Sequence, residues 1–105
     1  MEEFYRDGYY TDEMAANLER IAMMVRAIDT RVYENMEPDD VVVGIIVGLA
    51  LHTVDRAGSA KASKTAATMI KKAYNLAVAS ILSSEDQDTV GDKTIREMLK
   101  ICNYA

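Results

Sequence analysis

Residues 37–58 read EPDDVVVGIIVGLALHTVDRAG, and this stretch decides the fold. Pro38 suits the first turn of a helix, and the two aspartates after it favour the positive end of the helix dipole. The fourteen residues 41–54 are mostly apolar, with one histidine and two glycines among them. Gly58 provides a left-handed cap. We therefore predict a helix that runs from Pro38 to the residue before Gly58.

A β-strand over residues 41–47 is the alternative, because valine and isoleucine are abundant there. The apolar run is long, no partner strand is evident, and Gly44 and Gly48 fall on one helical face, so we favour the helix. Because this helix is apolar nearly all round, we expect it to be the central buried element. A bilayer span needs about 20 apolar residues, so we interpret the run as soluble core and not as membrane.

The sequence before this stretch predicts a long first helix over residues 12–35, with Thr11 as its N-cap. The apolar seam of this helix, at spacings of three and four, consists of Met14, Leu18, Ile21, Val25, Ile28 and Val32. A thinner stripe on the opposite side consists of Ala16, Met23, Ala27 and Thr30. Residues 1–10 form an aromatic arm that packs on the chain's own core or is exchanged between subunits.

The sequence after Gly58 predicts two further helices. Ser59 can cap a helix over residues 60–82. The core stripe of that helix is rich in small residues: Ala62, Ala66, Met69, Ala73, Leu76 and Ala77. Ser84 and Gln87 fit a capping box. A short last helix over residues 93–103 turns inward Ile95, Met98, Leu99 and Cys102.

These elements predict an all-α fold, a small helical bundle of about four helices in one domain over residues 1–105. Three helices are long and the C-terminal one is short. A 105-residue bundle has difficulty burying a helix on every side. The all-round apolar second helix and the two-sided first helix therefore predict a homodimer or higher oligomer.

Composition restricts the environment and the partners. Cys102 is the only cysteine, which excludes an intrachain disulfide, and the acidic start of the chain has no secretory signal. We expect a cytoplasmic, reducing compartment. The net charge of −5 argues against broad nucleic-acid binding.

Residues 56–84 carry five positive charges and no acid, whereas the rest of the chain is acidic. On a helical wheel one polar stripe contains Lys61, Lys64, Thr65, Thr68, Lys71 and Lys72. Three interpretations stay open: a solvated face or pairing with the acidic first helix, contact with an acidic protein, and a phosphate-bearing small molecule or nucleotide.

Gly44, Gly48, His52 and Asp55 lie on one face of the second helix. Two glycines four residues apart permit a close helix crossing or, alternatively, a ligand pocket. His52 and Asp55 are one turn apart and could form a hydrogen bond, so a small enzyme that uses this pair is a further alternative. No cluster has metal-ligand spacing, no phosphate loop or nucleophile motif is present, and no cofactor is implied.

The sequence therefore favours a non-enzymatic interaction or regulatory protein of the adaptor or inhibitor type. Virus-encoded inhibitors of host systems are often of this size and lack such motifs. We expect a protein partner, and we expect the chain to act as a homo-oligomer. Binding of a phosphate-bearing ligand at the lysine and threonine stripe is the first alternative, and catalysis by His52 and Asp55 is the second.

Overall fold

The computed structural model describes residues 11–28, 36–84 and 90–102. Within these ranges the chain forms four helices and no strand. They are α1 (Asp12–Arg26), α2 (Pro38–Ala57), α3 (Ala60–Ser83) and α4 (Asp92–Cys102). The all-α prediction is confirmed, and the strand alternative over residues 41–47 is excluded because those residues lie inside α2.

The predicted helix caps form as expected. The Thr11 hydroxyl accepts a hydrogen bond from the backbone N–H of Met14 at 3.1 Å, and the Ser59 hydroxyl accepts one from Ala62 at 3.1 Å. Gly58 has a φ of +78°, the left-handed conformation that residues with a Cβ avoid. These local signals fix where α1 and α3 begin and where α2 ends.

The first helix is shorter than its apolar seam indicates. It ends at Arg26; Ala27 has helical φ and ψ angles, and the Ile28 N–H donates to the Val25 carbonyl in a tighter turn. Aspartate and threonine, which follow at positions 29 and 30, are weak helix formers. The prediction of one helix to residue 35 is therefore wrong at its C-terminal end. Thr30 and Val32 lie outside the described residues, as do the arm over residues 1–10 and Gln87 of the proposed capping box.

The main packing runs from α2 to α3 and from α3 to α4. Helices α2 and α3 form a hairpin through the tight turn at Gly58 and Ser59. Among the described residues, α1 packs along none of the other helices to a comparable extent. Helix α3 is therefore the central element of the described bundle.

The core that the described residues form is small. Of the described residues, Thr53, Ala66 and Ala73 are the ones that are buried. The Thr53 hydroxyl donates a hydrogen bond to the Leu49 carbonyl oxygen at 2.7 Å, so this buried polar group has a partner. The other members of the predicted α3 stripe are half-buried, and so are the inward residues predicted for α4. The small-residue side of α3 is thus confirmed as its covered side.

The expectation that the second helix is the buried centre of the bundle is wrong for a single chain. Eight large apolar side chains of α2 are 37–65% exposed: Val42, Val43, Ile45, Ile46, Val47, Leu49, Leu51 and Val54. The physical reason is that α3 is the only described helix packed along α2, and one neighbour can cover only one side of a helix. None of the described helices is long and apolar enough to cross a membrane.

Candidate interaction site

An open groove of about 740 Å³ lies between α2 and α3, with Val25 of α1 at its edge. Helix α2 contributes Val42, Ile45, Ile46, Leu49, Ala50, Thr53 and Val54. Helix α3 contributes Ser63, Ala67, Ile70, Lys71 and Tyr74. The lining is therefore mainly aliphatic, with one charged side chain.

The groove opens because the side of α2 that lines it is only partly covered. Near the turn, Thr53 is buried and Ala57 is half-buried. Further from the turn, Val42 and Ile46 are both more than half exposed. Val54, close to the turn, is also 57% exposed, so exposure follows the sides of α2 that have no described helix against them and not the distance from the turn.

The polar groups in the groove are largely satisfied by their own helices. The Ser63 hydroxyl donates to the Ser59 carbonyl at 2.6 Å, as the Thr53 hydroxyl does to that of Leu49. These protons are not available to a ligand, and Lys71 is the charged group that remains at the lining. The groove thus suits an apolar occupant more than a polar small molecule.

The glycines of the second helix do not take part in this groove. By the helical period, Gly44 and Gly48 lie about 160° from Ile46, on the other side of α2. Apart from its chain neighbours and the nearby backbone of α2, a Cβ built on either glycine would have no heavy atom of the described residues within 4 Å. The chain's own described helices therefore do not make the close crossing that the glycine spacing predicted.

His52 and Asp55 are both exposed, and the structure has no hydrogen bond between them. Neither residue lines the groove. The predicted catalytic pair therefore lies outside this groove. In the part of the chain that the structure describes, no group of three or more histidine, cysteine or acidic side chains could hold a metal ion.

The predicted polar stripe is one exposed face of α3, and all six of its residues are exposed. The structure places Lys71 in the groove lining, whereas the other three lysines do not line the groove. The hydroxyls of Thr65 and Thr68 donate to the carbonyl oxygens of Lys61 and Lys64, each at 3.2 Å. Those protons are already used, so the threonines cannot at the same time donate to a phosphate.

The stripe is also not covered by the acidic first helix, because α1 is not packed along α3 in the described residues. The described part of α1 therefore does not pair with the stripe, whereas a solvated face, the other half of that interpretation, fits the exposure of its six residues. The lysine ammonium groups face outward on a surface that another molecule can reach.

Cys102 is half-buried at the end of α4. Burial raises the pKa of its thiol, and the positive charge of Arg56 acts in the opposite direction to a smaller extent. The thiol is therefore protonated near neutral pH and behaves as a small apolar side chain.

Comparison with protein-family models, with curated proteins and with solved structures gives no match for this chain. The sequence had no signal that located the groove, because all-round apolarity does not tell which side of α2 the rest of the chain covers. Function is accordingly inferred from the exposed apolar groove and from the lysine face of α3.

Proposed function

We propose that this chain is a non-enzymatic interaction or regulatory protein, of the adaptor or inhibitor type, that binds a protein partner and acts as a homo-oligomer. One observation carries the proposal: the apolar side chains of α2 are exposed and line an open groove with α3. Contiguous exposed apolar surface is costly in water and marks interaction sites. Burial of one such valine, leucine or isoleucine side chain against a partner stabilises the complex by about 1.5–3 kcal/mol.

Two surfaces of the molecule support two roles. The apolar groove suits an amphipathic helix, a common mode of protein recognition. The lysine face of α3 suits an acidic protein surface, because it has four ammonium groups and no carboxylate in its own helix. Self-association through the apolar surface and partner binding through the lysine face are therefore compatible.

The proposed compartment is the reducing cytoplasm. A single protonated thiol needs no oxidising environment, and it has no second cysteine in the chain with which to pair. No membrane or nucleic-acid partner is included in the proposal, since the net charge of −5 repels phosphate backbones over most of the surface.

Native mass spectrometry of the protein purified from its own host tests the proposal. We expect a species larger than one chain that carries a second protein. The double variant Lys64→Glu/Lys72→Glu should lose the second protein and keep the homo-oligomer. The double variant Lys93→Glu/Lys100→Glu makes the same change of charge on exposed residues of α4, and it should keep both. A single chain with nothing bound would contradict the proposal.

A phosphate-bearing small molecule is a second candidate for the lysine face, favoured by the four outward ammonium groups. The competing observation is that Thr65 and Thr68 donate to the backbone. Thermal unfolding with inorganic phosphate and with a nucleoside triphosphate, against chloride at equal ionic strength, separates the two candidates. Stabilisation that Lys64→Glu/Lys72→Glu abolishes would support the small-molecule candidate, and no shift would exclude it.

A further inference from the structure

Two apolar surfaces of this chain have no partner in the described structure. One is the groove between α2 and α3, and the other is the apolar seam of α1. We propose that each fills the other between chains: helix α1 of a second copy lies in the groove, and the exchange is reciprocal. This inference rests on the proposed self-association and names the surfaces that perform it.

The seam of α1 has the pattern that a helix needs to dock in a groove. Met14, Leu18, Ile21 and Val25 recur at spacings of four, three and four, which places them on one side of the helix. Ile21 is 61% exposed and Val25 is 43% exposed, whereas Met14 and Leu18 are half-buried, so the C-terminal half of the seam is the open part. Val25 already touches the groove edge, and α1 adds no other residue to the lining.

The two surfaces also agree in length. Helix α1 has 15 residues, which corresponds to about 22 Å at the rise of an α-helix. The α2 side of the groove runs from Val42 to Val54, which corresponds to about 18 Å at the same rise. One α1 helix therefore spans the groove from end to end.

The size of the core favours a second copy over a different protein. The described residues of one chain bury only Thr53, Ala66 and Ala73, and no large side chain among them is fully buried. A core this small needs a partner that is present whenever the chain is made, and another copy of the chain satisfies that condition. Reciprocal exchange covers two α1 seams and two grooves, so it buries twice the apolar surface that a single docked helix would bury.

The charges fit the same arrangement. Lys71 lines the groove, and α3 has no acid of its own to pair with it. Helix α1 begins with Asp12 and Glu13. By the helical period Glu13 lies at the side of the α1 seam and Asp12 nearly opposite it, so a second copy brings the Glu13 carboxylate to the rim of a groove whose α3 wall has Lys71 as its charged group.

Analytical ultracentrifugation across the micromolar range tests the proposal with two matched pairs of variants. Ile46→Glu places a charge in the groove, whereas Leu51→Glu places it on an equally exposed side of α2 outside the groove, the native side chains being 59% and 65% exposed. Ile21→Glu places a charge on the α1 seam, whereas Met23→Glu places it on the opposite side of α1. We expect Ile46→Glu and Ile21→Glu each to raise the dimer dissociation constant at least about 100-fold. The two control variants should remain dimeric.

Mixing the variants gives the sharpest result. Ile21→Glu chains keep a native groove and Ile46→Glu chains keep a native α1, so an equimolar mixture restores one native contact in each heterodimer. We expect the mixture to form dimers at concentrations where each variant alone does not. This rescue does not depend on either variant folding by itself, since the mixture is read by its mass and its helical circular dichroism.

Disulfide capture checks the same contact without an added charge. In a Cys102→Ser background, a chain with both Ile21→Cys and Ile46→Cys should give a covalent two-chain species after oxidation, and a chain with both Met23→Cys and Leu51→Cys should not. Four results would each overturn the proposal: a native monomer, dissociation by Leu51→Glu but not by Ile46→Glu, no rescue on mixing, or cross-links only within one chain. None of these experiments alters Lys64 or Lys72, so partner binding by the lysine face succeeds or fails separately.

Discussion

Helices α2 and α3 are joined by a two-residue turn, yet they differ in how their apolar residues are covered. On α3 the apolar side chains that are buried are alanines, and they lie on the side that the sequence pattern indicates. On α2 the large aliphatic side chains surround the helix, and only Thr53 is buried. Apolar residues on one side of a helix predict which face is covered. Apolar residues all round a helix predict only that other elements must cover it.

The largest expected effect contrasts two adjacent alanines of α3. Ala66 is completely buried and Ala67 is exposed in the groove. Ala66→Leu should lower the free energy of unfolding by about 1–3 kcal/mol, because it overpacks the close contact. Both substitutions are made in the Ile46→Glu chain, whose groove a second copy does not fill, and there Ala67→Leu should change it by no more than about 0.5 kcal/mol. Urea unfolding at one protein concentration measures both, and equal effects at the two sites would remove the distinction between a covered and an open side.

The next effect contrasts glycines at the end and in the middle of α2. Gly58→Ala should destabilise the protein by about 1–2 kcal/mol, because φ is +78° there and a Cβ is unfavourable. Gly48→Ala should stabilise it by about 0.5–1 kcal/mol, because the helix is regular and no described atom lies near the added methyl group. Thermal unfolding checks both changes. Destabilisation by Gly48→Ala would show that another chain packs on that side of α2, contrary to the proposed use of the groove.

The smallest expected effect is on the reactivity of the Cys102 thiol, which is half-buried at the end of α4. Burial raises the pKa of the Cys102 thiol, so less thiolate is present at any pH below that pKa than in an unfolded chain. The rate of alkylation should therefore rise only at a higher pH than for the unfolded protein. The same shift makes the folded state less stable as pH rises from the ordinary cysteine range through the raised pKa, since the unfolded chain ionises first. Identical pH profiles for the folded and urea-unfolded protein would contradict the burial of this thiol.

How much of the molecule could be predicted depends on the range of the forces involved. The N-caps at Thr11 and Ser59 and the left-handed Gly58 were predicted correctly, because each depends on neighbours within one turn. The C-terminal end of α1 was not, since the apolar seam continues to Val32 whereas the helix ends at Arg26. An apolar seam indicates which residues share a face as long as the helix continues, but it does not indicate the residue at which the helix ends.

In the candidate site, too, the feature that depends on nearby residues was predicted and the feature that depends on distant residues was not. The lysine and threonine stripe was predicted as one face of a helix and is an exposed face of α3. The groove was not predicted, because it requires that α3 contact α2 near Thr53 and leave Val42 and Ile46 uncovered. That arrangement depends on residues far apart in the chain.

The sequence by itself determined the helices, their capped ends and the small-residue side of α3, because hydrogen bonding within a turn and side-chain period act locally. Only the tertiary structure decided that α2 stands at the side of the bundle with its aliphatic residues exposed, and that the open space faces Ala67 and Lys71. The physical reason is that burial depends on how many neighbours a helix has, and one neighbour covers one side.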